Sequence, residues 1–303
     1  MSDAIGVPTV VILPKRRSRL AEFFIRLVKE KPLGTASGII ILLLVFVAIF
    51  ADLLAPYPYD KIHLIDRLQG PSTTYFMGTD QVGRDFMSRI IFGARLSLLI
   101  GLSATAVNIM AAFLVGGTTG FLGGKFDLVV QRFVDAWIAF PGLILLLTIM
   151  AIVGTGLAQI ILVLGISGGI SGSRVLRGAV INIKGNDYFL AAQALGSPNV
   201  TTLMRHVLPN VMPIVIVSFS ITIGGVMLTE ASISFLGFGL AREIPTWGGL
   251  LSKEGRAFME QAPWMALWPG VALSITVYGI SMFGDAVRDL LDPRLRGSGG
   301  RYH

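Results

Sequence analysis

Six apolar runs divide the chain, at residues 34–55, 94–121, 128–153, 157–180, 209–236 and 264–287. At a rise of about 1.5 Å per residue, a run of this length crosses the ~30 Å hydrocarbon layer of a bilayer as one helix. Inside lipid the backbone finds no water to bond, so a span must satisfy its own N–H and C=O groups, which a helix does. The runs therefore predict an all-α integral membrane protein with six transmembrane helices. Composition agrees: of 303 residues, 53% are hydrophobic and 14% charged, against roughly a quarter charged in soluble domains. The first run exceeds the roughly 7 to 15 residues of a signal-peptide core and reads as a retained span.

The net charge of +7 raises nucleic acid as a partner, but the basic residues are not interleaved with aromatics on a polar face. They collect at the ends of the runs. Lys15, Arg16, Arg17, Arg19, Arg26, Lys29 and Lys31 precede the first run, a distribution that holds a terminus in the cytoplasm and adds attraction to anionic headgroups. Six spans with both ends cytoplasmic put 17 of the 25 lysines and arginines inside. The expected organisation is a basic cytoplasmic segment, 1–33, amphipathic over 20–28. The first span and an outer loop follow, 34–93, then a core of five spans, 94–287, interrupted by a polar stretch at 186–210. A cytoplasmic tail, 288–303, ends the chain.

Catalytic and metal chemistry find little support. Cysteine is absent, and His63, His206 and His303 are isolated, so no thiolate or histidine metal centre is expected. In the outer loop, Gly78-Thr79-Asp80-Gln81-Val82-Gly83-Arg84-Asp85 offers two aspartates, but their spacing is not that of an EF-hand. Gly120 to Lys125 lacks the first glycine of a phosphate loop, and Phe126 stands where Ser or Thr would reach magnesium. No cofactor is expected on this chain.

Within the spans, Arg132 and Asp135 lie one turn apart and neutralise each other, with Pro141 near the middle of the third run. Gly116 and Gly120 in the second run, and Gly165, Gly168, Gly169 and Gly172 in the fourth, are spaced for close helix contact. In the fifth run Ser218, Thr222, Gly225, Thr229 and Ser232 form a polar stripe with Glu230 beside it. Such a stripe faces protein or a water-filled path rather than lipid. It is the candidate translocation path, with helix–helix hydrogen bonding as the other account. Trp247, Trp264 and Trp268 are expected in an aromatic belt at the outer interface.

The stretch 186–210 is patterned as a short helix and a turn. Tyr188, Ala191, Ala192 and Leu195 share one face at i, i+3, i+4 and i+7. Gly196 and Pro198 end the helix, and Pro209 opens the next span as a first-turn proline. The two alanines, Gly196, and then His206-Val207-Leu208-Pro209 resemble the cytoplasmic coupling loop of ABC importer permeases. Three further segments carry the same resemblance: the outer-loop stretch quoted above, Glu230-Ala231-Ser232-Ile233-Ser234-Phe235-Leu236-Gly237 leading to Trp247-Gly248, and the tail from Gly284-Asp285-Ala286-Val287-Arg288 to Arg296. Together they are similar to the C component of the dipeptide/oligopeptide/nickel branch. Two residues depart from the pattern: Leu190 stands where an acidic residue often begins the motif, with Asp187 the nearest carboxylate, and His206 replaces a frequent isoleucine.

The resemblance implies a type I ABC importer permease in a prokaryotic plasma (inner) membrane, with a cytoplasmic coupling helix. It implies a heterodimer with a homologous permease, two ATPase subunits that bind ATP and Mg, and an extracytoplasmic solute-binding protein. This chain would be non-catalytic, and Asp187, Tyr188, Ala191, Ala192, Leu195, Gly196, His206, Leu208 and Pro209 would meet the ATPase. The implied cargo is dipeptides or oligopeptides, with nickel or glutathione-like peptides as alternatives. The rival from another class is an ion-coupled secondary transporter, for which Asp135 and Glu230 would be the working carboxylates.

Overall fold

The computed structural model describes residues 19–241 and 243–291. Lys15 to Arg17 of the basic segment and residues 292–303 of the tail lie outside the described residues. Among the described residues five helices are long and apolar enough to cross a membrane, or six spans where a bent pair counts as one. Helix α1 (Arg19–Glu30) leads into α2 (Pro32–Ile49), the first span. Then follow α3 (Phe86–Leu122), the bent pair α4 (Gly124–Ala139) and α5 (Gly142–Val153), and α6 (Leu157–Lys184). A short α7 (Asp187–Ala194) precedes α8 (Asn199–Phe238) and α9 (Trp264–Leu291).

Three of the differences from the sequence expectation have a clear local reason. The second span starts at Phe86 rather than at 94, because the Asp85 carboxylate caps it, accepting from Ser88 N at 2.8 Å and Ser88 Oγ at 2.6 Å. The third run is not one straight helix: α4 and α5 meet at 94°. Pro141 has no N–H to continue the ladder and pushes Phe140 into an extended conformation, ψ 140°. The fifth span begins at Asn199, not at Pro209. Leu203–Val207 widens into a π turn just before that proline, where Leu208 N bonds back to Leu203 O, so the helix passes the ring without stopping.

Small residues set the helix spacing. A Cβ on Gly165 would lie 2.5 Å from Val107, and one on Gly116 would lie 2.0 Å from Ser173 O. The two glycine groups thus seat α6 on α3 from both sides of the contact. The main core joins Ala94 and Leu98 of α3, Ile223, Met227 and Ala231 of α8, and Leu273 and Ile280 of α9 around Trp247. Trp247 is therefore not a belt residue: it is 1% exposed, with its indole N–H on Ile90 O at 3.1 Å. Trp264 and Trp268 are half-buried in a smaller cluster around Phe86 and Met265.

At the end of the bundle bearing residues 56–85, the loop aspartates are structural. Asp80 is fully buried and accepts from Arg84 Nε at 2.6 Å, Arg89 NH1 at 2.7 Å, and the backbone N–H groups of Val82 and Arg84. One carboxylate so holds the loop to the first turn of α3. Gly83 at φ +79° brings the loop against His63, whose carbonyl oxygen would be 1.8 Å from a Cβ there. Trp264 Nε1 donates to Thr79 O at 3.1 Å, tying α9 to the same loop.

Tyr75 belongs to this loop, donating to Asp66 Oδ2 at 2.9 Å. Burial, and then the Asp66 carboxylate, push its phenol up to about 12. The folded value lies above the ordinary one of about 10. The stability this bond contributes is therefore fully present below that ordinary value and is lost as pH rises through the raised one. Ultraviolet titration of tyrosinate is expected to show one late phenol that Tyr75→Phe removes.

Candidate coupling helix and central cavity

At the other end of the bundle, α7 is held by one buried aromatic. Phe189 is 1% exposed and packs edge-on to Phe121 of α3, ring centroids 6.1 Å apart, in a cluster with Val180, Ile183, Val207 and Val211. Burying that side chain is worth roughly 1.5–3 kcal/mol, a substantial tie for so short a helix. Ala192 is buried beside it, while Tyr188, Leu190, Ala191 and Leu195 are exposed. The face predicted as a unit is thus divided. Ala192 turns inward with Phe189, and Tyr188, Ala191 and Leu195 turn outward with Leu190 and Asp187. Phe189 was legible as the i−3 partner of Ala192, but the exposed register drew the assignment instead.

Gly196 closes α7 with φ +75°, and Ser197 N donates to Ala192 O at 3.1 Å, a Schellman-type end. No atom lies within 4 Å of where its Cβ would be. Three residues on, α8 begins and runs unbroken into the span. Pro209 is exposed, Leu208 and His206 are half-buried, and His206 O accepts from Asn210 Nδ2 at 2.6 Å. Residues 199–210 and the fifth span are accordingly one continuous helix, set off from α7 by the turn at Gly196 to Pro198.

Between the spans lies a cavity of about 460 Å³. Asn108 of α3 and Leu164, Ser167 and Ser171 of α6 line it on one side, and Thr222, Gly225 and Thr229 of α8 on another. The bent pair supplies Trp137, Phe140 and Leu146, brought there by the 94° break at Pro141. Among the described residues no ionisable side chain lines it.

The stripe of α8 is split by this geometry. Thr222, Gly225 and Thr229 reach the cavity, whereas Ser218 lines a separate groove with Val175, Pro213 and Arg288. Ser232 is exposed and bonds its own helix at Leu228 O, 2.8 Å. Glu230 is 2% exposed and is not in the cavity lining; its Oε1 accepts from Ser234 Oγ at 2.8 Å and Thr246 Oγ1 at 3.2 Å. It fastens the 246–249 turn to α8. Asp135 pairs with Arg132, at 3.2 Å, and also with Arg174 of α6. Sequence reasoning missed Asn108, a lone amide, and Ser167, which pairs at i, i+4 with Ser171 on the same face of α6.

Comparison with known proteins agrees with this architecture. Residues 109–297 match the family described as "Binding-protein-dependent transport system inner membrane component". Residues 18–71 match the "N-terminal TM domain of oligopeptide transport permease C". The chain is 36% identical over 281 residues to the glutathione transport system permease protein GsiD of Pectobacterium atrosepticum, covering 92% of this chain and 93% of that one. It is 35% identical over 268 residues to the oligopeptide transport system permease protein OppC of Bacillus subtilis. It is 36% identical over 268 residues to the dipeptide transport system permease protein DppC of Alkalihalophilus pseudofirmus. The last two alignments each cover 88% of both chains. With six potential spans, a short helix docked between the fourth and fifth, and relatives aligned over nearly its whole length, the chain belongs to the binding-protein-dependent transport system inner membrane components, as a permease subunit of the type I ABC importer fold.

Proposed function

We propose that this chain forms half of the path of an importer for short peptides, driven through α7 by separate ATPase subunits. The observation that carries the reading is α7 itself: an eight-residue helix, fastened by one buried phenylalanine, with Tyr188, Ala191 and Leu195 turned outward. A small apolar face at the end of a bundle suits insertion into a partner's cleft, and the continuity of the following segment with α8 suits transmission of its movement. A homologous permease would complete the path, and an extracytoplasmic binding protein would deliver cargo to the loop end. The weight of lysine and arginine at the α7 end supports both termini, and α7, facing the cytoplasm.

Dipeptide, oligopeptide and glutathione permeases among the relatives support a peptide cargo. The cavity fits such a cargo in chemistry, with hydroxyl and amide groups among aromatic and aliphatic walls. Ion coupling gains no support, since Asp135 is paired with two arginines and Glu230 is bonded away from the cavity.

A photo-crosslinking amino acid at Leu195, which is 88% exposed, tests the docking. In membranes containing the partner subunits it is expected to form an adduct with an ATPase. The same group at Ile65, 96% exposed at the other end, is expected to form none. An ATPase adduct from Ile65 alone would reverse the orientation, and none from either would remove the coupling role of α7.

A further inference from the structure

Two buried polar side chains in the cavity are used by nothing else in the described structure. Asn108 is 7% exposed and Ser167 is 8% exposed, and both line the cavity. Neither side chain has a hydrogen-bond partner among the described residues. Of the other hydroxyls there, Ser171 and Thr229 are turned back on their own helices, to Ser167 O at 3.3 Å and Gly225 O at 2.8 Å, and Thr222 is only half-buried. A carboxamide offers two donors and an acceptor, and here all of them are left for whatever enters the cavity. Room for it is made by a glycine: a Cβ on Gly168 would lie 2.2 Å from Asn108 Nδ2. The amide thus lies flat against α6 while its polar atoms retain access to the cavity.

We infer that Asn108, together with Ser167, is a cargo-contacting subsite that takes an uncharged hydrogen-bonding group, namely the backbone amide of a passing peptide. The inference rests on the peptide-import reading. A carboxamide complements a peptide unit on both sides, giving N–H to its carbonyl and accepting from its N–H. The same lining holds no carboxylate to balance a metal cation and no base to hold an acidic side chain. It therefore recognises what all peptides share, while Trp137, Phe140 and Leu146 offer apolar surface to the side chains.

The test uses the complete transporter, with its partner subunits and binding protein, in proteoliposomes and with trialanine as the probe. Asn108→Ala and Ser167→Ala are each expected to lower the trialanine moved per ATP hydrolysed by about three- to tenfold, the loss of a hydrogen bond. KM, set by the binding protein, stays unchanged. Asn108→Asp keeps the shape and adds a charge; it is expected to slow Ala-Glu-Ala more than trialanine, a change of selectivity that packing damage does not produce. Unaltered transport in all three variants overturns the subsite while leaving the peptide reading intact. If the unsubstituted complex moves no trialanine, that reading fails and the subsite is judged by a thiol. The chain contains no cysteine, so Asn108→Cys places a single one in the cavity. Its modification by an aqueous methanethiosulfonate during ATP turnover supports a place for Asn108 on the path, and a thiol that never reacts overturns the subsite whatever the cargo.

Discussion

Replacing Gly196 by tryptophan is expected to cut ATP-driven uptake by about tenfold or more while the chain stays in the membrane and the complex still hydrolyses ATP. The position has two properties that separate this outcome from misfolding. Its φ of +75° is left-handed, so any side chain there costs roughly 1–2 kcal/mol of backbone strain. Its Cβ would meet no atom of the described residues within 4 Å, so the added bulk extends from an open face toward whatever docks on α7. Overfilling a packed contact costs ~1–3 kcal/mol, and about 1.4 kcal/mol is tenfold in an equilibrium. Gly196→Ala carries the strain without the bulk and is expected to keep most of the uptake. Uptake and ATP hydrolysis measured side by side decide the matter: a tryptophan variant with normal uptake removes the docking role of this turn.

Loss of the Asp80 carboxylate is expected to be the most destabilising single change in the loop. Its removal takes from Arg84 and Arg89, both within 2.7 Å of it and both buried, the anion that they share. Breaking a buried ionic cluster from one side costs about 3–5 kcal/mol. Asp80→Ala is expected to lower the thermal transition in detergent well below that of Asp85→Ala, which removes only a helix cap worth ~1 kcal/mol. Were Asp80 an acid or base acting on cargo, its alanine variant would instead lose transport with an unchanged transition.

Much of the architecture is legible because lipid leaves the backbone so few choices. Runs long enough to cross a bilayer announce themselves by length alone, and the glycines of the second and fourth runs foretell the α3–α6 contact. The bend at Pro141 was less legible: a proline inside a span is often tolerated, and what makes this one a 94° break is the extended conformation of Phe140 together with Gly142. Trp247 misled for a related reason. Tryptophan at the end of a span usually marks the interface, and here tertiary packing around Ala94 and Met227 took it into the core. Gly196 could be placed from sequence because one residue type suits a left-handed helix end. The cavity could not, since its polar groups come from three separate helices: a stripe on α8, the Ser167 and Ser171 pair on α6, and the lone Asn108 on α3.

The most direct test of the central claim is uptake of a radiolabelled tripeptide into proteoliposomes holding this chain, its homologous permease, the ATPase subunits and the binding protein, with and without ATP. The account predicts accumulation that needs ATP and every one of those subunits. Accumulation by this chain alone, driven by a proton or sodium gradient and indifferent to ATP, would contradict it and return attention to Asp135 and Glu230.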